Sequence, residues 1–386
     1  MMHPVKNKIT PKRLKDALGT FSTKHSVTEV HVHLGGSVPL YRLWEMGIAR
    51  GIRMGAGSYE EFIQTLTRRP DNTGDLDRYL EIFEIVELIQ AGPEAVAESI
   101  RIAINGAYRT GGMKTLGPGG EGADPEPAFA IKQLEIRFNP MKRSAVYVAR
   151  DREAGIFDVD RIIKAACESA EESELAYRGN MRVGLIFCFG RDLAFEVNRR
   201  LADKVKAWKK SQRKIIGIDL AGPESVNSLS DPKELDRFAE LYADCGADLG
   251  RTIHLGETPH TTIETFINVI KALKPQRVSH PISAIKAFWD KQDARGLELL
   301  AQEKIICELC IYSNVLTKAI GSAAEYGKLL NTLDRFNIPY CFSTDSPALQ
   351  MSTLASEIEY LLADNAITPE QIYNALLTAE KCTFIK

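Results

Sequence analysis

The chain has 386 residues, of which 44% are hydrophobic and 26% charged, with a formal net charge of −2. That balance gives nucleic acid or a membrane surface no electrostatic handle. No apolar run approaches the roughly eighteen residues needed to span a bilayer, and the polar, basic N-terminus has no secretory core.

Seven cysteines, an odd number scattered through apolar runs such as LIFCF and YCFS, read as buried free thiols in a reducing, cytoplasmic setting. Cys307 and Cys310 have the C-x-x-C spacing, but no second pair completes a zinc or redox site.

Eight short apolar or β-branched runs are expected as strands, at residues 28–34, 133–138, 181–189, 214–220, 251–255, 277–280, 304–309 and 339–343. Amphipathic stretches at 76–89, 93–109, 159–173, 194–209, 232–245, 262–273 and 323–335 separate most of them as helices. Strands alternating with helices imply parallel pairing, and eight units are the count of a closed (β/α)8 TIM barrel. The expectation is one domain over 1–386, with a helical extension at about 1–26 (a short helix at 11–18) and an elaborated cap after strand one at 35–75. A Gly- and Pro-rich insertion falls at about 111–130. There Gly117, Gly119 and Gly122 match G-x-G-x-x-G by letter only, because no strand precedes them and no helix follows.

Five segments place a metal-ligand or proton-transfer side chain just past an expected strand: HVHLGGS (31–37), DLAG (219–222), HLGE (254–257), RVSH (277–280) and STDSP (343–347). Four of the seven histidines fall in them. In such barrels the chemistry sits at the C-terminal strand ends, so all five segments converge on one rim. His31 and His33 alternate on one strand and project to the same side. With His254 and Asp345 they offer three imidazole nitrogens and one carboxylate. That set suits a single Zn2+ with an open position, and iron, manganese or cobalt would also fit. Metal-bound water ionises near pH 7. Glu257 can move a proton beside it, or else cap the following helix. His280 can hold the hydroxide or stabilise developing charge, or else be a satisfied core histidine. The remaining candidates, His25 and His260, have no catalytic reading.

The ordered set HxHLxGS, DLAG, HxGE, RxxH, ExCxxSN (308–314) and STDxP resembles the adenosine/AMP deaminase family. The likeness extends through QLEIRFNP (133–140) and NALLTAEKCTF near the end. It implies a (β/α)8 barrel with one zinc that hydrolyses the 6-amino group of purines. It implies His31, His33, His254 and Asp345 as ligands, Glu257 as the acid that protonates purine N1, and His280 as the residue that orients the attacking hydroxide. The Gly222 amide would meet purine N3.

The departures concern the substrate. The family's STDDP is STDSP here, so Ser346 replaces the Asp that contacts N7. Its HLDG is HLGG here, so Gly35 replaces the Asp that contacts the sugar 5′-hydroxyl. Pro223 and Pro281 also depart, and Ser279 crowds a position usually kept small. The partner implied is a small purine compound; nothing in the sequence speaks to oligomeric state. Two other readings compete. One is a mononuclear hydrolase of a non-purine amine or amide; strand four lacks the lysine a two-metal site would need. The other is a catalytically silent binding relative, which would predict a lost ligand or a lost Glu257. The cytidine-deaminase class requires H-x-E with P-C-x-x-C, and no histidine here is followed two residues later by Glu.

Overall fold

A computed structural model describes residues 21–69, 74–110, 131–144 and 157–386. The expected helix at 11–18 and the insertion at 111–130 lie outside the described residues.

Eight strands run in chain order as β1 (Val27–His33), β2 (Ile131–Phe138), β3 (Arg182–Gly190), β4 (Ile215–Ala221), β5 (Gly250–Arg251), β6 (Arg277–Ser279), β7 (Ile306–Leu309) and β8 (Tyr340–Phe342). Every paired neighbour is parallel, in the orders β1-β2-β3-β4-β5 and β6-β7-β8. Two single bridges join these sheets edge to edge: His254 with Ser279, and Val32 with Asp345. At the first seam Ser279 N donates to Ile253 O at 2.8 Å and Leu255 N to Ser279 O at 3.1 Å. At the second, Asp345 N donates to His31 O at 3.0 Å and His33 N to Asp345 O at 2.7 Å. The strands therefore form a ring, the expected (β/α)8 barrel. Both seams pass through expected site residues.

The strands carry the β-branched and aromatic residues that suit a surface covered on both sides. In β3, RVGLIFCFG, every residue after Arg182 is buried. The surrounding helices start on side-chain caps that satisfy otherwise orphaned amides. Ser322 accepts from Glu325 N, and Asp231 accepts from Lys233 N ahead of a helix with Pro in its first turn.

After β1 the chain leaves the barrel to build the cap. Helices Leu40–Ala49, Tyr59–Leu66, Leu76–Leu80 and Ile82–Ile89 enclose their own apolar cluster, with Leu43, Met46, Phe62 and Val86 at its centre. The single helix expected at 76–89 is two segments meeting at Glu81, where Glu84 N bonds back three residues to Glu81 O at 3.4 Å.

The barrel interior is not apolar throughout. Arg137, Asp219, Arg277 and Glu308 are all 0% exposed. Arg137 reaches Asp219 at 3.0 Å and Glu308 at 2.9 Å, while Arg277 reaches Glu135 at 2.6 Å and Glu308 at 2.7 Å. Buried charges persist only when paired and hydrogen-bonded in this way. Ser279, expected to crowd the site, instead donates to Glu308 at 2.5 Å.

Candidate active site

The C-terminal end of β1 aims His31 and His33 into the barrel mouth, and His254 meets them from the residues after β5. His31 Nε2 lies 3.3 Å from His33 Nε2, which lies 3.1 Å from His254 Nε2. Asp345 Oδ1 is 3.7 Å from His33 Nε2, and Asp345 Oδ2 is 3.9 Å from His280 Nε2. The four expected ligands are thus brought together, with His280 beside them.

Whether these residues fit a metal turns on their tautomers. His31 Nδ1 lies 2.8 Å from the Glu308 carboxylate, and His254 Nδ1 lies 3.0 Å from that of Asp219. A carboxylate only accepts, so both protons sit on Nδ1 and both Nε2 lone pairs point inward. Burial, then the Arg137 charge, holds His31 well below the usual imidazole range; burial foremost lowers His33 to about 3. Burial would raise Asp345, but His33 and His280 outweigh it and keep the carboxylate ionised. Three imidazoles, with the Asp345 carboxylate beside them, are a donor set that could hold a metal ion.

Glu308 and Asp219 do more than accept protons. Arg137 bridges them, so His31, Glu308, Arg137, Asp219 and His254 form one continuous chain of contacts. Burial would raise the Glu308 carboxyl, yet Arg137 and Arg277 bring it down to about 2.

Glu257 sits where the chain turns away after His254, with Gly256 at φ +88°. A side chain on Gly256 would also strike Ser283 Oγ at 2.4 Å, so both conformation and space require glycine there. Burial, reinforced by the Asp345 charge, pushes the Glu257 carboxyl up to about 8, so it carries a proton at neutral pH. Its Oε1 is buried without a hydrogen-bond partner among the described residues, and so is His280 Nε2. Asn314 Nδ2 lies 2.9 Å from His280 Nδ1 and donates to it, which leaves the His280 proton on Nε2, facing Asp345. His280 and Asp345 both hold left-handed backbones, at φ +53° and +62°. Such strain in non-glycine residues concentrates at functional sites.

These groups open into a cavity of about 990 Å3 between barrel and cap, lined by Gly35, Gly222, Glu257 and Asp345 among others. That is at the upper end of the ~300–1,000 Å3 range for small-molecule sites. Gly222, at φ +102°, lies on its wall. Ser346 is fully buried and behind the wall; its Oγ donates to Asp345 at 3.0 Å. A side chain on Gly36 would meet Ser346 at 2.3 Å, so glycine is what lets these segments touch.

Tyr79, from the cap, lines the cavity in front of Ser346 and bonds both it and Gln350, whose Nε2 lies 2.8 Å from the Tyr79 hydroxyl. No motif marks Tyr79, and it was not among the expected site residues. Cys310, whose C-x-x-C spacing lacks a second pair, has its sulfur within 4.8 Å of ligand atoms of His31, His280 and Asp345. Burial raises its thiol well above the usual range, so it is a neutral neighbour. His25 pairs with Glu380 at 2.8 Å, away from the centre.

The family model for adenosine deaminase matches residues 128–386, two thirds of the sequence. The chain belongs to the adenosine deaminase family. It is a deaminase-type hydrolase of C–N bonds. Zebrafish (Danio rerio) adenosine deaminase is 24% identical over 361 residues, covering 92% of this chain and 90% of that protein. The Bos taurus adenosine deaminase is 23% identical over 362 residues, covering 92% and 89%. Among solved structures, adenine deaminase from Arthrobacter aurescens superposes with a TM-score of 0.73 at 19% identity, covering 94% of each chain. The Arabidopsis N6-mAMP deaminase gives 0.69 at 18% identity, covering 95% of each. These distant structural likenesses bear on the fold. Among the described residues, no helix is long and apolar enough to cross a membrane.

Proposed function

We propose that this member of the adenosine deaminase family hydrolyses the 6-amino (or 6-substituted amino) group of a purine compound at a single zinc centre. His31, His33, His254 and Asp345 would hold the ion. Once bound, the ion supplies the Lewis acidity that makes water a nucleophile at neutral pH.

The protein's own groups supply the rest. Glu257, protonated through burial, delivers its proton to the ring nitrogen beside the carbon under attack, so that electrons displaced from the C=N bond are received. The resulting carboxylate can take the proton back from the attacking water and pass it to the departing amine. His280, held by Asn314 with its Nε2–H turned toward Asp345, orients the water. Gly222 offers backbone on the cavity wall, and Gly35 lines the same cavity with the Phe83 ring packed against it. Purine rather than another amine is favoured by family membership, with curated relatives named adenosine deaminase.

The observation that carries this reading is the pairing of an inward-pointing, three-imidazole centre with a protonated carboxyl in the same cavity. It is tested by following amine release from zinc-loaded protein with adenosine, adenine, AMP and N6-methyl-AMP. Turnover of at least one of them is expected. A fully metallated protein that turns over none, yet releases ammonia from a non-purine amine, would replace purine with another substrate.

A further inference from the structure

The turn that follows β2 carries hydrogen-bond donors that have no acceptor among the described residues. Arg143 is 2% exposed and lines the cavity, yet its Nε and Nη1 meet no acceptor among the described residues. Glu87 pairs with it only loosely, 3.4 Å from Nη1. Asn139, 7% exposed on the same wall, accepts from Met141 N and Lys142 N through Oδ1, and its Nδ2 has no acceptor among the described residues. Between them Lys142 also lines the cavity, tied to Asp192 at 2.6 Å.

Arg137, the other arginine on the cavity wall, behaves differently. Its two terminal nitrogens are engaged by Asp219, Glu308 and the Val30 carbonyl, so its charge is committed to the barrel interior. Arg143 is the guanidinium with capacity to spare. Its place matters as well: Nη2 lies 3.6 Å from where a side chain on Gly35 would begin, and Gly35 is two residues from His33. Glycine at position 35 puts no side chain between Arg143 and the cavity; a Cβ there would meet the Phe83 ring at 2.9 Å.

The surplus is one-sided. A guanidinium and an amide NH2 can only donate, and a planar guanidinium suits the paired oxygens of phosphate or carboxylate. From this we infer that the cavity recognises an anionic substituent on its substrate, received by Arg143 with Asn139 and Lys142 beside it. The inference rests on the purine reading above and narrows it to purines that carry an anionic group away from the reacting carbon. Phosphate and carboxylate share the required chemistry.

The test uses zinc-loaded wild type and Arg143→Gln, checked for equal metal content and matching circular dichroism, with Arg143→Lys as a charge-retaining control. Binding of inosine and inosine 5′-monophosphate is measured by calorimetry. Wild type is expected to favour the phosphate form at least tenfold, less so as salt rises. Arg143→Gln should reduce the ratio of the two affinities toward one, with Arg143→Lys between. Equal affinities in wild type, or an undiminished ratio in Arg143→Gln, would overturn the inference.

A second arm does not depend on the purine. Millimolar pyrophosphate or succinate should raise the wild-type melting temperature more than that of Arg143→Gln. Whichever anion shows the larger difference identifies the source, and no difference for either rejects the anion site. If neither inosine compound binds but the anion difference stands, the purine reading fails and the Arg143 site survives.

Discussion

The carboxylate of Glu224 holds the two residues on either side of Glu257: it accepts from Gly256 N at 2.6 Å and from Thr258 N at 2.9 Å, and from the Thr258 hydroxyl at 2.6 Å. Two backbone amides fixed by one buried carboxylate set the direction in which Glu257 leaves the chain. Glu224→Gln can retain one acceptor oxygen but not both, and turns an NH2 toward an amide. With Glu257 free to swing, kcat is expected to fall ten- to a hundredfold while zinc content and KM change little, since misplacement of about 1 Å can cost ~100-fold. Steady-state kinetics beside metal analysis checks this; a loss confined to KM would point to substrate contact instead.

Glu257 itself makes two expectations. Glu257→Gln should keep zinc and lose turnover, because an amide has no proton to give; normal rates in that variant would remove Glu257 from the chemistry.

The second concerns the metal-free protein, in which the Glu257 carboxyl sits at about 8 against an ordinary value of 4.5. A carboxyl raised on folding contributes stability that is complete below the unfolded value and lost as pH climbs through the folded one. Chelator-treated wild type should therefore weaken between pH 5 and 9 by on the order of a few kcal/mol more than Glu257→Gln. Urea unfolding of both proteins at the two pH values measures the difference; parallel losses would mean that Glu257 ionises freely.

The barrel and its rim were legible because most strands are compact apolar runs and the site residues lie at or within a few positions of their C-terminal ends; β5, only Gly250–Arg251, is shorter than the run expected at 251–255. His31 and His33 announce themselves by alternation, and helix 323–335 is found with the expected bounds because its cap and apolar stripe are local signals. The rest depends on contacts between residues far apart in the chain. Tyr79 reads as one more apolar cap residue, and only the fold sets it against Ser346, 267 positions away by numbering (346 − 79). Glu308 stood in a motif without a role, because its partners come from β1, β2 and β6. Helices Ile282–Lys291, Arg295–Gln302, Leu354–Ala363 and Pro369–Cys382 were not anticipated. The first two are short, and a short stretch of 3.6-residue periodicity carries little signal.

Asp345 supplies the one carboxylate among the proposed ligands and also closes the barrel seam through its backbone. The two roles can be separated. Asp345→Asn keeps the backbone bonds to His31 and His33, so the fold should survive while zinc binding weakens severely and activity falls below detection. Asp345→Ala should do the same to metal and activity. Removing zinc from wild type with a chelator should abolish activity and lower the melting temperature, and adding zinc back should restore both. Full activity of either variant would exclude Asp345 from the ligand set.

The chain of contacts from His31 through Glu308, Arg137 and Asp219 to His254 makes zinc affinity depend on residues that touch no metal. Glu308→Gln presents His31 Nδ1 with either a weaker acceptor or a second donor, so the tautomer that aims Nε2 inward is less firmly held. Removing partners of this kind typically weakens metal binding 10- to 100-fold. That range is expected here from competition against a chelator of known affinity. Arg137→Leu should act on the fold instead. It strands Asp219 and Glu308 in the barrel interior without their shared counter-charge, and breaking a buried pair from one side costs about 3–5 kcal/mol. Arg137→Lys should recover only part of that loss, because one ammonium cannot serve Asp219, Glu308 and the Val30 carbonyl with the guanidinium's fixed fork. Denaturant midpoints of the three variants order the effects. A Glu308→Gln protein with wild-type zinc affinity would show that the inward set of His31 is fixed by packing rather than by Glu308.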